Sequence, residues 1–183
     1  MLRDAGVSIE IVPAAVDEDA IKQSYRAEQA PARDLADALA EMKARRVASG
    51  RLDALVIGAD QILAFEGEML DKPRDLDDAR AQLMKLRGKS HELLSAAVIF
   101  DQGAPVWRHI GVARLTMRPF TDDFIDHYLS EEGDAVLSTV GGYRIEGRGA
   151  QLFSRVAGDY FSILGLPLLE LLGFLRARGA LVE

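Results

Sequence analysis

The 183-residue sequence contains no cysteine, which removes disulfide staples, thiolate zinc sites and cysteine nucleophiles from consideration. Histidine is nearly as scarce. Its three copies, His91, His109 and His127, show no HExxH-like spacing, which argues against a histidine-rich metal site. No apolar run reaches the roughly 18 residues of a membrane span, and Met1-Leu2-Arg3-Asp4 does not open a signal peptide, so a cytoplasmic protein with no membrane partner is expected. Positive charge is not in excess either. The formal net charge of -7 argues against nucleic acid or an acidic membrane surface as partner, because the long-range field repels polyanions; a local basic cluster can still hold a small anion. Internal repeats, low-complexity tracts and obvious linkers are also missing. What remains is a chain with 49% hydrophobic residues, enough to bury a full core in a single domain over residues 1–183.

The stretch around which the rest is organised is Leu55 to Pro73, LVIGADQILAFEGEMLDKP. Leu55-Val56-Ile57 has the character of a buried strand and runs into Gly58-Ala59-Asp60, so the strand is expected to end on a carboxylate. In open α/β sheets ligands bind beyond the carboxyl ends of strands, and Gly58 and Ala59 would leave room beside the acid. A second strand-like segment, Ile62 to Phe65, is followed by Glu66-Gly67 as a two-residue turn, and Glu68-Met69-Leu70 returns towards Asp71-Lys72-Pro73. Such a hairpin would carry Lys72 back towards Asp60. A carboxylate and an amine brought together suit a metal-bound phosphate ester, the acid holding a cation or a water and the amine balancing phosphate charge. The same residues read equally well as a buried strand with a turn acid and an exposed lysine.

Elsewhere the pattern alternates helix and strand. Met1 to Ala5 reads as the last turn of a helix capped by Gly6, and Val7 to Val12 alternates like a strand that Pro13 ends; Val16-Asp17-Glu18 follows as an acidic turn. Asp34 to Ala48 fits an amphipathic helix with Asp34 as N-cap, and Arg45 and Arg46 are explained by the helix dipole alone. A second helix is expected over Asp75 to Leu86, two antiparallel strands over His91 to Phe100 and Pro105 to Met117, and a third helix from Thr121 to Leu129. Trp107 is expected to pack into the core, and His91, at the start of a strand, to make a structural hydrogen bond. In the glycine-rich Val140 to Tyr160, Arg144, Glu146 and Arg148 alternate as they would on one solvated strand face, although they could also contact a phosphate or a base edge. Phe161 to Leu164 reads as a short strand, and Leu168 to Ala177 as a helix that starts after Pro167. Together these give an α/β domain with a mixed sheet.

Several stretches, in order, resemble the Maf family of nucleotide pyrophosphatases, also called septum-formation inhibitor-like proteins. They are Val16-Asp17-Glu18, Lys43 in MKARRVA, GADQ at Gly58 to Gln61, GEMLDKP at Gly67 to Pro73, GKSHELLS at Gly88 to Ser95, GGYRIEGRGAQLF at Gly141 to Phe153 and GDYFSILGLPLLEL at Gly158 to Leu171. One GAD triplet would be worthless; the ordered set covers nearly the whole chain. The resemblance implies a mixed twisted sheet with flanking helices and two lobes around a cleft, as in the Maf and inosine triphosphatase proteins. It implies an enzyme that cleaves a nucleoside triphosphate between its α- and β-phosphates with a divalent cation, Mg²⁺ or Mn²⁺, in a house-cleaning or division-arrest role. By the match Asp60 would be the general base and, with Glu18, a metal ligand, while Lys43 and Lys72 would bind phosphates. Gln61 and Glu146 stand where relatives acting on thymidine or uridine triphosphate usually carry threonine and glutamine. That pair resembles the branch acting on 7-methyl-GTP, and a carboxylate can accept from the N1 and N2 donors of a guanine edge. The resemblance is compatible with a homodimer. The family's opening strand and S-x-S-x-R-R loop have no counterpart, since the chain enters at Met1-Leu2-Arg3-Asp4-Ala5-Gly6. The resemblance therefore implies a chain truncated at its N-terminus, with weak turnover or none, because two arginines worth ~1.5–3 kcal/mol each in charge-assisted bonds would be lost. The competing function is a non-catalytic nucleotide-binding or division-regulatory protein that keeps the fold.

Overall fold

A computed structural model describes residues 1–182 of the chain. Its elements in order are α1 (Glu18–Ala27), α2 (Ala32–Ala48), β1 (Val56–Phe65), β2 (Glu68–Leu70), α3 (Leu76–Leu86), β3 (Ser90–Asp101), β4 (Ala104–Met117), α4 (Asp122–Glu132), β5 (Phe153–Ala157), α5 (Tyr160–Ile163) and α6 (Leu168–Ala177). The strands form one five-stranded sheet in the order β2-β1-β3-β4-β5. This is the expected α/β class. Among the described residues no helix is long and apolar enough to cross a membrane.

The chain divides into two compact units, Met1–Gln61 with Leu94–Val112 and Asp159–Glu183, and Ile62–Leu93 with Ala113–Gly158. In the first, Ala97, Ile99, Leu166, Leu168, Leu171 and Leu175 make a buried cluster against which Leu55, Ile57, Trp107 and Phe174 pack. The expected core role of Trp107 is met only in part: the ring is partly buried and stacks on Phe174 at 5.6 Å at the margin of the cluster. The small residues Ala36, Ala40, Ala44 and Ala48 recur every four positions on the buried side of α2, a spacing that makes one smooth stripe along a helix. In the second unit the β1–β2 hairpin pairs Phe65 with Glu68 across Glu66-Gly67. Both turn residues are left-handed, at φ 49° and 84°, the type I′ geometry that glycine makes accessible and that matches strand twist. Helix α3 starts where Asp75 accepts from the Asp78 N–H, and α4 where Thr121 accepts from Phe124. The two helices are tied by Arg80 to Asp126 at 2.6 Å and Arg87 to Asp122 at 2.6 Å.

Several local expectations fail, each for a physical reason. The chain from Val7 to Val12 is not a strand: its alternation marks a half-buried side, but among the described residues no strand pairs with it, and Ile11 is 69% exposed. The preceding turn does end as expected, with Val7 N–H bonded to Leu2 C=O and Gly6 N–H to Arg3 C=O, the paired bonds of a glycine cap. Helix α2 begins at Ala32, with Pro31 before it, so Asp34 lies in the first turn instead of capping it. The acidic run Asp17-Glu18-Asp19 does not stop at a turn. It opens α1, with Asp17 accepting from the Ala20 N–H. Val140 to Tyr160 holds two short 3-10 turns, Val140–Gly142 and Arg148–Leu152, with the left-handed Gly141 and Gly142 turning the chain; only Phe153–Ala157 is strand. Arg144, Glu146 and Arg148 therefore do not share a strand face. Phe161 to Leu164 falls within a helical turn, since the Asp159 carboxylate accepts from Ser162 N–H at 2.7 Å and outweighs the strand preference of the aromatic and branched residues.

His91 lies 2% exposed in the second unit, its Nε2 2.7 Å from the Tyr143 hydroxyl, as its expected structural role requires. Burial lowers its pKa to about 4 and raises that of Tyr143. Because the folded value lies below the ordinary 6.5, the neutral ring's contribution is complete above pH 6.5 and is lost as pH falls towards 4. Urea unfolding should show the wild-type protein losing about 3 kcal/mol over that window beyond what His91→Gln loses. Equal losses in the two proteins would refute this account.

Candidate active site

Strand β1 sends alternate side chains to opposite sides, so Gly58 and Asp60 face one way and Ala59 and Gln61 the other. A Cβ added at Gly58 would collide with the Ala40 carbonyl oxygen and lie 2.6 Å from the Ala44 nitrogen. The bare glycine is what lets α2 lie against the strand. Sequence reasoning took Gly58 as space left for a ligand and Asp60 as a strand end. The structure overturns both: the space is filled by α2, and Asp60 is in the middle of a ten-residue strand.

With α2 so close, its Lys43 reaches the next residue on that face. Lys43 Nζ lies 2.7 Å from Asp60 Oδ1 and 2.8 Å from Glu18 Oε1, which is supplied by the first residue of α1. The Asp60 side chain is 10% exposed, that of Lys43 23% and that of Glu18 36%. Three residues far apart in the chain thus meet at one mostly dry point. Burial pushes the Asp60 carboxyl above the usual carboxylate range, and the Lys43 ammonium opposes that shift without cancelling it. For Lys43 burial acts downward, yet the two carboxylates together hold it above the ordinary lysine value. A carboxylate raised in this way takes up a proton more readily, which favours work as a base.

On the opposite side of β1, the Gln61 amide nitrogen donates to Ser95 Oγ at 2.9 Å and lies 3.1 and 3.0 Å from the carbonyl oxygens of Ser162 and Ile163. Ser95 Oγ also donates to the Ser162 carbonyl at 2.6 Å. Two carbonyl acceptors fix which end of the amide is nitrogen, so Gln61 is an anchor for the turn after Asp159. Neither Ser95 nor Ser162 was singled out from sequence. Both are buried, and a buried serine carries no sequence signal until its partner is known. Glu18 as a helix start could have been found, since three acids ahead of Ala-Ile-Lys are a helix N-terminal signature.

Lys72 and Glu146 belong to the second unit. Lys72 is exposed, two residues beyond the end of β2 at Leu70. Glu146 receives Arg144 Nε at 3.2 Å, while Arg144 also reaches towards Glu132 at 3.9 Å and Arg148 pairs with Glu131 at 2.7 Å. The contacts seen in the structure therefore join Glu18, Lys43 and Asp60 to one another, and Gln61 and Glu146 to other partners.

A family model described as Maf-like protein matches residues 1–178. The chain belongs to the Maf family. Its relatives include the nucleoside triphosphate pyrophosphatase of Granulibacter bethesdensis, 52% identical over 181 residues, 99% of this chain and 92% of that protein. Those of Hyphomonas neptunium and Caulobacter vibrioides, which bear the same name, are 54% and 51% identical over 99% of this chain, and over 91% and 90% of their own lengths. In this Maf-family chain, Gln61→Leu should leave the Ile163 carbonyl without the Gln61 donor, while the Ser162 carbonyl keeps that of Ser95, and lower unfolding stability by about 1–3 kcal/mol. A denaturation midpoint unchanged from wild type would show that the anchor contributes nothing.

Proposed function

We propose that the chain hydrolyses nucleoside triphosphates at the α–β phosphate linkage, giving a monophosphate and pyrophosphate. Membership of the Maf family and the printed activity of relatives about 50% identical support the reaction class. The observation that carries the mechanism is the partly buried Asp60 held by Lys43 beside Glu18. Asp60 orients an attacking water and accepts its proton, a task suited to its raised pKa. Lys43 and Lys72 bind phosphate oxygens and offset their charge; for Lys72 the assignment rests on the family resemblance alone.

The donor set suits a divalent cation. Glu18 and Asp60 each present a carboxylate oxygen within 3 Å of a single ammonium, so their mutual geometry already accommodates positive charge. Among the described residues no cluster of three or more His, Cys, Asp or Glu could hold a metal. Two carboxylates with the remaining positions left to phosphate oxygens and water is the usual arrangement for Mg²⁺ in phosphoryl chemistry. Such an ion, when bound, neutralises phosphate charge and lowers the pKa of water. Glu18 and Asp60 would hold it.

For the base we assign Glu146, through its carboxylate, and Gln61, through its amide oxygen, since the amide nitrogen is committed to the main chain. The substrate this favours is 7-methyl-GTP or another modified guanine nucleotide, in a cytoplasmic house-cleaning role. A carboxylate facing the carbonyl oxygens of a pyrimidine would meet acceptor with acceptor.

Asp60→Asn should cut pyrophosphate release by about 10²–10⁴-fold while still folding, because it removes a base and keeps the shape. Nucleotide binding by the wild-type protein with no pyrophosphate release under Mg²⁺ or Mn²⁺ would instead establish a binding protein. Across a panel of triphosphates, 7-methyl-GTP should be turned over faster than thymidine triphosphate, and Glu146→Gln should narrow the ratio. Faster hydrolysis of thymidine triphosphate by the wild type would defeat the base assignment.

A further inference from the structure

The Lys43 ammonium is bonded to two carboxylates, 2.7 Å from Asp60 and 2.8 Å from Glu18. Those are the positions from which the same oxygens would have to hold a divalent cation, at the roughly 2.0–2.1 Å that Mg²⁺ demands. An ammonium and a dication cannot both occupy the gap: their like charges repel, and each oxygen is already turned towards the lysine. Lysine is suited to vacate it. Its charge is a point at the end of a flexible four-carbon stem, with no fixed fork that must be kept in register. Lys43 is also rooted on α2, which the packing of Ala40 and Ala44 at Gly58 holds in place whatever the side chain does.

We propose that Lys43 is the resident cation of the Glu18–Asp60 pair in the nucleotide-free protein, and that a divalent metal enters only as Lys43 leaves for the triphosphate. This rests on the function proposed above and adds an order to it: metal and nucleotide arrive together, and free metal alone binds weakly. The charge balance explains the order. Glu18, Asp60 and Lys43 sum to a single negative charge, and the Lys22 ammonium also acts on Asp60, so adding a dication without moving Lys43 would leave a mostly dry cluster with net positive charge and no anion beside it. A triphosphate supplies the anion that receives the lysine. Among the described residues no third carboxylate stands close enough to complete a metal site without substrate, in keeping with this order.

The test is Mn²⁺ binding without nucleotide, read by the electron paramagnetic resonance signal of free Mn²⁺. Wild type and Lys43→Arg should both bind weakly, because both keep a cation in the gap. Lys43→Met should bind Mn²⁺ at least about tenfold more tightly, and Lys43→Met with Asp60→Asn should lose that gain. Equal Mn²⁺ affinity in wild type and Lys43→Met, or a gain that survives Asp60→Asn, would overturn the proposal. Should Lys43→Met fail to fold, wild-type crystals soaked in Mn²⁺ decide. An anomalous peak held by both carboxylates in the absence of nucleotide would overturn it; no peak, with Lys43 in place, would support it. The outcome is separable from the proposed reaction: a protein that releases no pyrophosphate fails as an enzyme whatever its Mn²⁺ affinities, and an active one can still fail this comparison.

Discussion

Helix α2 can lie on strand β1 only because Gly58 has no side chain, and almost everything said of the site depends on that approach. One methyl group there would enter the Ala40 carbonyl and press on Ala44, and an overpacked contact of this kind typically costs about 1–3 kcal/mol. The helix answers with alanine at the facing positions, so the two backbones come near enough for a lysine one residue before Ala44 to reach an aspartate two residues beyond Gly58. Small side chains set the distance, and the charged pair inherits it.

That pair is under electrostatic tension. Taking Asp60 out of water disfavours its charged form, and the lysine beside it only partly restores it. The balance is what a base needs: an acid held so firmly by cations that it never protonates would be stable and idle, whereas one left unpaired in a dry site would stay neutral. Glu18, more exposed, completes the charge around Lys43 and ties α1 to a position that its own sequence does not specify, since none of its residues is buried.

How much of this was legible in the sequence divides along physical lines. Elements with strong local signals were found: the Glu66-Gly67 turn, the helix starts near Asp75 and Thr121, and α6 after Pro167 agree with the structure. Ordered motifs identified the family and led to Glu18, Lys43 and Asp60, which the fold brings together. The reasoning behind Asp60 was nevertheless mistaken. Gly58-Ala59-Asp60 has the composition of a strand terminus, and only the presence of a helix overhead turns it into a strand interior. The same limit explains Gln61: a glutamine after an aspartate reads as polar and available, while its amide is already engaged by oxygens a hundred residues away. In both cases the deciding partner is remote in the chain, and local pattern carries no trace of it.

Gln61 follows Asp60 directly, and the two point to opposite sides of one strand. The grip on Ser95 and on the main chain at Ser162 and Ile163 is therefore a grip on the acid's own backbone. A lineage that exchanged Gln61 would at the same time loosen the tether of the turn that opens α5. Exchange at this position should consequently be accompanied by change at residue 95, whose hydroxyl meets the Gln61 amide directly, so that two sites distant in the gene vary as one.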